Sequence, residues 1–570
     1  MAAKLDSKTG KTPLSRILDV LRLDKEEISS VYFYAMFNGI IQLSLPLGIQ
    51  NIIGYVLGGA ISTSLVILIV LVVIGVFLTG LIRVHQMRII EKVQQKIFVR
   101  YSFEYARRVP DLDMKAIDAY YLPEIMNRFF DTVSLQKGIS KLLLDFPTAT
   151  IQILFGLLLL SFYHPVFIAF SIVTVSLVIT ILYFSGTRGL QTSLEESDYK
   201  YGVGGWLEEM ARAILSFKFF RNSGIDMRRT DELVVGYLKA RTEHFKILQL
   251  QYWTLVGFKV VVTAIMLAVG SYLLIDQQLN LGQFIAAEIV ILLVLNSVEK
   301  LIVNLDKVYD VLTSVEKLSK IIDSPLEQDG TMNLASDGKG IAFSLNNVGY
   351  VMSDRNVLSN VNVEIPAGSC VAVMGRDGSG KSTLLRLLSG VYRDYKGGLT
   401  ANGIPLRDYS LDSWRAHTGI LFGRQDIFSG TLLENISMGD PSVSPDMLVA
   451  LIEAVGLKDF LQELPTGFST KLGASGNRLS RSVMQRILLI RALVRVPRLL
   501  LLEDPWRGMD DEGRARIHRL LITRKRNSTI LVESNDPDFA RKADMVLYFS
   551  DGKLEYAGPW KDDLQAIYRD

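Results

Sequence analysis

Residues Ser369–Thr383 read SCVAVMGRDGSGKST and continue into the helical run LLRLLSGV. The first part, Ser369–Met374, predicts a strand, and Gly375–Thr383 matches the pattern GxxxxGK[ST] between that strand and a helix. Glycines in such a loop let consecutive backbone N–H groups turn inward around a phosphate, and the following helix adds its dipole. The spacing therefore predicts a loop that binds the phosphates of a nucleotide.

Two side chains of this loop have individual roles in the prediction. Lys381 is expected to hold the β- and γ-phosphates, and the Ser382 hydroxyl is expected to ligate Mg²⁺. The candidate nucleotide-binding residues of the loop are Gly375, Arg376, Asp377, Gly378, Ser379, Gly380, Lys381, Ser382 and Thr383.

The chain before this loop has a different composition. Hydrophobic residues make up 49% of the 570 residues, the mean hydropathy is +0.26, and the long apolar runs stop near residue 305. A chain of this length predicts at least two domains. Six of the apolar runs are long enough to cross a bilayer, which takes about 20 residues each. The predicted spans lie near residues 30–53, 62–84, 140–162, 165–185, 251–275 and 281–304.

The positive charges of the connections predict the orientation of these spans. Lys and Arg do not occur near 54–61, 163–164 or 276–280, whereas segments 85–138 and 186–248 carry nine and ten of them. The charged segments and both termini are expected to face the cytoplasm, because Lys and Arg are retained on that side. Both charged segments are interpreted as long helical extensions of the spans.

The N-terminal segment combines charge with helically spaced apolar residues. Over residues 12–27 this pattern predicts an amphipathic helix on the membrane surface, with a plain leader as the alternative. A signal peptide is not expected, because residues 1–27 are charged and the first apolar run has full membrane length.

Three ionisable residues fall inside predicted spans, where their cost makes each a functional candidate. Lys259 and Glu299 lie at similar depths near the inner interface and are expected to form an ion pair; snorkelling to the headgroups is the alternative. Glu288 lies deeper and is a candidate for lining a translocation path.

The composition argues against several classes of protein. A single cysteine, Cys370, argues against a disulfide framework, and none of the five histidines has metal-ligand spacing. The net charge of +3 is near neutral and does not indicate nucleic-acid binding.

Segments along the whole chain resemble one family. Leu122–Asp131 (LPEIMNRFFD) and Trp206–Phe220 (WLEEMARAILSFKFF) are similar to its two intracellular coupling segments. Ile427–Ile436 (IFSGTLLENI) and Leu464–Gly476 (LPTGFSTKLGASG) are similar to stretches that flank its helical subdomain, and Pro497–Asp510 (PRLLLLEDPWRGMD) stands where the second acidic motif and D-loop belong. The chain resembles an ABC exporter half-transporter, most of all the bacterial type I secretion branch that exports peptides and toxins.

The resemblance implies a fold and a domain order. The expected fold is an α-helical membrane domain of six transmembrane helices with long cytoplasmic extensions, followed by an α/β P-loop ATPase domain with a helical subdomain. The predicted segments are an amphipathic N-terminus (1–27), the membrane domain (28–310), a linker (311–340) and the nucleotide-binding domain (341–570). The peptidase-like N-terminal domain of this branch is expected to be absent.

The resemblance also implies cofactors, partners and a location. ATP and Mg²⁺ are the expected cofactors, and a second half-transporter, identical or different, is the expected partner. A periplasmic adaptor and membrane lipids are further expected partners, and nucleic acid is not expected. The expected location is the bacterial inner (plasma) membrane, with both termini cytoplasmic.

The acidic motif departs from the family pattern. The family has Asp-Glu after four apolar residues, whereas Leu499–Leu502 lead into Glu503-Asp504. By position, Glu503 is the Mg²⁺-side carboxylate and Asp504 is the general base for the attacking water. Exchanging the two shifts each carboxylate by ~1 Å, an error that can cost ~10²-fold in rate.

The switch and signature positions are altered as well. Counting back from Ala543-Asp544, Asn535 replaces the switch histidine and can hydrogen-bond a γ-phosphate without carrying charge. The signature LSGGQ reads LSRSV in Leu479–Val483, so Ser480, which is expected to touch the partner's γ-phosphate, is kept. Arg481 and Ser482 replace both glycines, although Arg481 could supply charge instead.

Two further positions involve substitutes. The Gln-loop position falls on Gly423, with Gln425 nearby as a replacement. The aromatic that stacks on adenine falls on Met352 by strict spacing; Tyr350 is the alternative, although strand alternation points it to the other face.

Three interpretations of the function are compatible with these departures. The favoured reading is ATP-dependent export of a peptide, protein or other amphipathic substrate by alternating access, with slow hydrolysis. The alternatives are a non-hydrolysing ATP-binding subunit of a heterodimer, and a lipid or drug exporter.

Overall fold

The computed structural model describes residues 12–59, 63–117, 122–335, 338–352, 355–423, 425–476, 478–525 and 527–562. The chain divides into two compact units. The first, here the membrane unit, comprises Met1–Leu112 and Ala119–Pro325; the second, the nucleotide unit, comprises Asp113–Asp118 and Leu326–Asp570.

Regular elements cover most of the described residues. The α-helices are α1 (Pro13–Arg22), α2 (Lys25–Gln42), α3 (Ser44–Leu57), α4 (Thr63–Arg108), α5 (Met114–Ile117), α6 (Leu122–Asn127), α7 (Asp131–Tyr163), α8 (Val166–Arg212), α9 (Ile214–Phe219), α10 (Ile225–Ile275), α11 (Leu281–Val303), α12 (Leu305–Ile322), α13 (Lys381–Leu388), α14 (Leu411–Ala416), α15 (Leu432–Ser437), α16 (Pro445–Val455), α17 (Lys458–Glu463), α18 (Arg481–Leu493), α19 (Asp511–Arg524) and α20 (Pro537–Ala540). The strands are β1 (Phe343–Met352), β2 (Arg355–Ile365), β3 (Cys370–Gly375), β4 (Lys396–Ala401), β5 (Ile404–Pro405), β6 (Thr418–Leu421), β7 (Gly430–Thr431), β8 (Lys471–Leu472), β9 (Leu499–Glu503), β10 (Thr529–Glu533), β11 (Met545–Ser550) and β12 (Lys553–Gly558).

The membrane unit contains the six predicted spans. Among the described residues, six helical segments are long and apolar enough to cross a membrane. They are Lys25–Leu57, Thr63–Asp111, Leu122–Tyr163, Val166–Arg212, Ile225–Ile275 and Leu281–Ile322. Each overlaps one predicted span, so the prediction of a six-helix membrane domain is confirmed. Several segments extend well beyond the ~20 residues that a bilayer requires, as the sequence predicted.

The helices of the membrane unit pack closely where a small residue lies at a contact. A Cβ added at Gly156 in α7 would lie 2.6 Å from the Cγ2 atom of Val294 in α11, so only glycine fits at this position. Small residues commonly allow such close approach of transmembrane helices. Val290 and Val294 of α11 are fully buried beside it.

The ionisable pair inside the spans is present. The ammonium group of Lys259 in α10 contacts the carboxylate of Glu299 in α11, so the predicted ion pair is confirmed. Glu288 is half-buried on α11, and its role in a translocation path stays a prediction.

The predicted amphipathic segment contains the helix α1. Thr12 caps its N-terminus by accepting the Ser15 N–H, which satisfies one of the unpaired donors of the first turn. Leu14 and Leu18 are exposed, whereas Arg16 is buried and forms an ion pair with Asp323 at 2.6 Å. The placement of this helix on a membrane surface stays a prediction.

The helix α12 extends into the segment predicted as linker. It buries Val311, Val315 and Leu318, spaced at three to four residues on one helical face. The linker predicted over 311–340 therefore begins inside a packed helix. The helical spacing of these apolar residues allows one face of α12 to be buried, although polar residues lie between them. The domain boundaries given above stay predictions.

One short segment between α4 and α6 groups with the nucleotide unit. It is Asp113–Asp118, whereas the role of Leu122–Asp131 as the first coupling segment stays a prediction. Met114 packs against the apolar core of that unit, and Lys115 forms an ion pair with Asp394. The apolar contact of Met114 and the ion pair of Lys115 thus attach this segment to the nucleotide unit, although its sequence shows no strong pattern.

The nucleotide unit is built on a mostly parallel sheet with the strand order β12-β11-β3-β10-β9-β6. Side chains of β3 alternate between two apolar cores: Cys370 and Ala372 belong to one, Val371 and Val373 to the other. Burial on both faces explains the continuous apolar runs of its strands. A second sheet, β2-β1-β4-β5, is antiparallel.

Parallel pairing brings the carboxyl ends of the central strands together. Glu533 of β10 lies opposite Glu503 of β9 on one side and Val373 of β3 on the other. Ligands of open α/β sheets bind at this edge, where strands end and loops begin. The phosphate loop and the acidic motif therefore meet in one place.

Candidate nucleotide site

The phosphate loop connects β3 to α13. Gly375, Gly378 and Gly380 have φ values of +143°, +78° and +99°, a region that glycine adopts without a steric penalty. A Cβ at Gly375 would lie 2.1 Å from the carbonyl oxygen of Phe549, so a larger residue does not fit there. The sequence GRDGSGKST folds into this loop because its glycines stand where the backbone requires them.

Lys381 is folded into the loop that it follows. Its Nζ atom donates to the carbonyl oxygens of Gly375 and Arg376, both at 2.8 Å, and the residue is 6% exposed. The ammonium group lies inside the turn, where it counters the carbonyl dipoles that face inward. It is a positive charge that the loop itself brings to a phosphate.

Glu503 is held by two neighbours at the end of β9. Its Oε2 atom accepts the Gly423 N–H at 2.7 Å, and its Oε1 atom lies 3.0 Å from the guanidinium of Arg386 in α13. The residue predicted as the Mg²⁺-side carboxylate is thus anchored toward the phosphate loop. Gly423, at the predicted Gln-loop position, contributes through its backbone.

Asp504 has an unusual backbone conformation. Its φ of +40° lies in the left-handed region, which costs a non-glycine residue free energy unless the surroundings impose it. Its N–H donates to the carbonyl oxygen of Glu533 at 2.8 Å, and its own carbonyl accepts from Gln485 at 3.0 Å. Burial raises the pKa of the Asp504 carboxyl above its usual range.

Asn535 is bound to the start of the phosphate loop. Its Oδ1 atom accepts the Gly375 N–H and its Nδ2 atom donates to the Gly375 carbonyl, both at 3.1 Å. The side chain therefore ties the loop after β10 to the end of β3. In this arrangement its amide serves the backbone of the loop.

Gln425 and Ser480 also use their polar atoms locally. Gln425 Oε1 accepts the Phe422 N–H at 3.1 Å, and Ser480 Oγ caps α18 by accepting the Val483 N–H at 3.2 Å. Arg481 begins α18 beside Gly508, where a Cβ would lie 3.4 Å from the Arg481 Cγ.

Tyr350, the alternative to Met352 for stacking on adenine, lies in the core of the nucleotide unit, and its predicted role is untested. Tyr350 is 1% exposed, and its ring stacks on Tyr392 at a centroid distance of 5.0 Å and an interplanar angle of 13°. The burial pattern of β1 turns Tyr350 into the core, as strand alternation indicated. Met352 is half-buried and packs against the same core, so its predicted role stays open to test.

Six of the predicted residues line one cleft of about 720 Å³. They are Asp377, Lys381, Gln425, Glu503, Asp504 and Asn535. The other predicted residues, which the structure also describes, do not line it; they are Gly375, Arg376, Gly378, Ser379, Gly380, Ser382, Thr383, Tyr350, Met352 and Ser480. The phosphate loop, both motif carboxylates and the altered switch position therefore share one site.

The sequence analysis missed several charged residues of the site, among them Glu533 and Arg386. Glu533 lines the cleft, and burial raises the pKa of its carboxyl, with Glu503 adding to the shift. Arg386 pairs with Glu503 from α13. The sequence signal for Glu533 was its place as an acid at the end of the apolar strand β10. That Glu533 lies beside Glu503 is evident only from the pairing of β9 and β10.

Comparison with known families covers both units. Residues 30–298 match the family described as "ABC transporter transmembrane region", and residues 358–507 match the family described as "ABC transporter".

Three curated relatives illustrate the similarity. The type I secretion system ATP-binding protein PrsD of Rhizobium meliloti (strain 1021) is 28% identical over 313 residues, which are 55% of this chain and 54% of PrsD. The alpha-hemolysin translocation ATP-binding protein HlyB of Escherichia coli O157:H7 is 27% identical over 53% of this chain and 43% of its own. The ATP-dependent lipid A-core flippase of Francisella novicida is 28% identical over 50% and 48%. The chain thus spans about half the length of the curated relatives it matches.

A solved structure shares the fold. The structure of a bacterial Atm1-family ABC exporter with ATP bound superimposes with a TM-score of 0.79, covers 96% of each chain, and is 19% identical. The two family matches together identify the chain as an ABC half-transporter, in which a transmembrane region is fused to an ABC ATPase domain.

Proposed function

We propose that the chain is one half of an ATP-driven exporter that moves a peptide, protein or other amphipathic substrate by alternating access. The observation that supports this most strongly is the shared cleft, in which the glycine-rich loop and Lys381 meet two carboxylates at the ends of parallel strands. PrsD and HlyB, whose names refer to secretion and translocation, favour peptide or protein cargo.

The residues of the loop fit a bound triphosphate. Ser379 is 3% exposed, and its hydroxyl has no hydrogen-bond partner among the described residues. Buried hydroxyls are usually satisfied, so this group is suited to donate to a phosphate oxygen. Lys381 would exchange its two carbonyl contacts for the β- and γ-phosphates.

Mg²⁺ fits the same site. The Ser382 hydroxyl and the Glu503 carboxylate would hold it, since oxygen ligands are those that Mg²⁺ prefers. A bound Mg²⁺ would neutralise phosphate charge during transfer of the γ-phosphoryl group to water. Asp504 would orient that water and accept its proton.

Hydrolysis is proposed to be slow. Asp504 has a shorter side chain than the glutamate of the family and a left-handed backbone, so its carboxylate lies displaced from the family position. Asn535 is engaged with Gly375 and brings no positive charge to the γ-phosphate. The glycines of the signature are replaced by Arg481 and Ser482.

The second candidate is a non-hydrolysing ATP-binding subunit paired with a complete half-transporter. The same three alterations favour it, because each is expected to lower turnover while the sequence of the phosphate loop is intact. Lipid or drug export is the alternative for the cargo, and the similarity to a lipid A-core flippase favours a lipid.

The proposed setting follows from the family and the charge distribution. The chain would lie in the bacterial inner membrane with both termini in the cytoplasm, contact membrane lipids, and pair with a second half-transporter. A secretion role would add a periplasmic adaptor as a partner.

Phosphate release from the purified, reconstituted protein tests the proposal. The control is Lys381→Ala, which removes the cation from the phosphate site. A rate above that of the control is expected. A rate equal to that of the control, with ATP still bound by the parent protein, would reject hydrolysis and favour the subunit reading.

A further inference from the structure

A polar pocket of about 200 Å³ lies inside the membrane unit, between α2, α4, α7 and α11. Its lining includes Asn38, Arg83, Gln86, Asp145, Gln152 and Lys300. Polar and charged groups are costly within spans, so a pocket built from them on four helices indicates a bound polar group or water.

The pocket lies at one interface of the membrane and reaches inward from it. At a rise of about 1.5 Å per residue, Asn38, Arg83 and Lys300 lie roughly 28–30 Å from the far ends of their spans. Gln152 lies only roughly 17 Å from the end of its span, which is within the hydrocarbon. The charged end is on the side of the long helical extensions, which the sequence predicts to be cytoplasmic.

The pocket carries excess positive charge. Among the described residues, no carboxylate lies within the 4.0 Å ion-pair distance of Arg83 or Lys300. Asp145 is already engaged by Lys141 at 2.9 Å and by Asn304 at 3.1 Å. Arg83 and Lys300 are therefore available for an anion, and phosphate suits such cations best.

The pocket also contains unsatisfied hydrogen-bond acceptors. Asn38 is 6% exposed and Gln86 is fully buried, and neither Asn38 Oδ1 nor Gln86 Oε1 has a partner in the described part of the chain. The other end of Gln86 is fixed, since Nε2 donates to the Val31 carbonyl at 3.1 Å. A buried acceptor left unpaired costs free energy, so the fitting ligand brings N–H or O–H donors.

We propose that this pocket binds a phosphate ester that carries hydrogen-bond donors, supplied by the headgroup of a phospholipid in the adjoining leaflet. Arg83 and Lys300 contact the phosphate, while Asn38 and Gln86 accept from the donors, as an ethanolamine ammonium group provides. Basic pockets between transmembrane helices bind headgroups in this way. The site is independent of ATP turnover, and its occupant is a lipid whether or not lipid is the exported cargo.

Native mass spectrometry of the delipidated full-length protein, titrated with defined dioleoyl lipids, tests the proposal. Phosphatidylethanolamine is expected to bind at least about tenfold more tightly than phosphatidylcholine, which has no N–H donor, and than dioleoylglycerol, which has no phosphate. Equal binding of phosphatidylcholine would overturn the role of Asn38 and Gln86, and equal binding of dioleoylglycerol would overturn the whole site.

Variants separate the pocket from general attraction of lipid. The double variant Arg83→Gln/Lys300→Gln is expected to weaken phosphatidylethanolamine binding by about 30-fold, because the contact of each cation with the phosphate strengthens binding roughly fivefold. The matched control, Arg88→Gln/Lys92→Gln, also removes two positive charges, from residues of α4 that do not line the pocket, and is expected to bind like the parent. Equal loss in both variants, or no loss in either, would contradict the proposal.

Two further measurements complete the test. Soluble glycerophosphoethanolamine is expected to compete only weakly with the lipid; competition at equal concentration would assign the site to a soluble phosphate ester and overturn the lipid source. ATP affinity, measured on the same samples, is expected to be unchanged, so loss of lipid binding remains distinguishable from failure of the nucleotide site.

Discussion

Within one cleft, the phosphate loop keeps the family sequence, whereas the residues that surround it depart from that sequence. Gly375–Thr383 has the sequence, the left-handed glycines and the buried lysine that nucleotide binding requires. Around it, Glu503, Asp504 and Asn535 differ from the family in identity and use several polar atoms for local structure. The contrast predicts that binding and turnover depend largely on separate residues, so that substitutions can change them separately.

The largest expected effect is on turnover. Asp504→Asn removes the proposed base and is expected to lower phosphate release by about 100-fold, the range for loss of a general base, with ATP affinity unchanged. Single-turnover phosphate release with saturating ATP measures this. Unchanged release would show that Asp504 is not the base, and would direct attention to Glu533, another carboxylate that lines the cleft.

The next effect is on binding. Lys381→Ala removes a charged donor from the phosphates and is expected to weaken ATP affinity by about 2 kcal/mol, or roughly 30-fold. Equilibrium binding of a fluorescent ATP analogue measures this, with Lys542→Ala as a control outside the cleft. A similar loss in both variants would contradict a specific role for Lys381.

A smaller effect distinguishes two roles of Asn535. Asn535→Ala removes two hydrogen bonds to Gly375, and each is worth about 1 kcal/mol at most, so a roughly fivefold loss of nucleotide affinity is expected. Because the backbone of the loop is affected, ATP and ADP are expected to lose affinity equally. A loss confined to ATP would show instead that Asn535 contacts the γ-phosphate.

The smallest effect on the cleft is expected from Tyr350. Tyr350→Leu removes a stacked pair with Tyr392 and is expected to lower stability by about 1–2 kcal/mol, measured by thermal unfolding. ATP affinity is expected to stay within about twofold of the parent, since the ring is buried away from the cleft. A tenfold loss of ATP affinity would restore Tyr350 as the adenine platform.

Much of the architecture could be predicted from the sequence. The spans follow from long apolar runs, and the phosphate loop follows from glycine spacing between a strand and a helix. The contact between Lys259 and Glu299 could be predicted from depth alone, because each residue of a helix adds a fixed rise.

Other features depend on pairing between distant segments. Glu533 becomes a neighbour of Glu503 only through the register of β9 and β10, which local pattern does not determine. The segment Asp113–Asp118 joins the nucleotide unit through the contact of Lys115 with Asp394, residues far apart in sequence. The membrane pocket likewise combines polar residues scattered over four helices, and these residues form no motif in the sequence.

The most direct test of separate binding and turnover is the double variant Glu503→Asp/Asp504→Glu, which restores the family order of the two carboxylates. ATP affinity and phosphate release are measured together for this variant and the parent. The expected result is an ATP affinity within about threefold of the parent and a release rate at least about tenfold higher. The reason is that each substitution moves a carboxylate by one methylene, ~1 Å, back to the position it has in the family. An unchanged or lower rate at equal affinity would show that the exchanged carboxylates do not limit turnover.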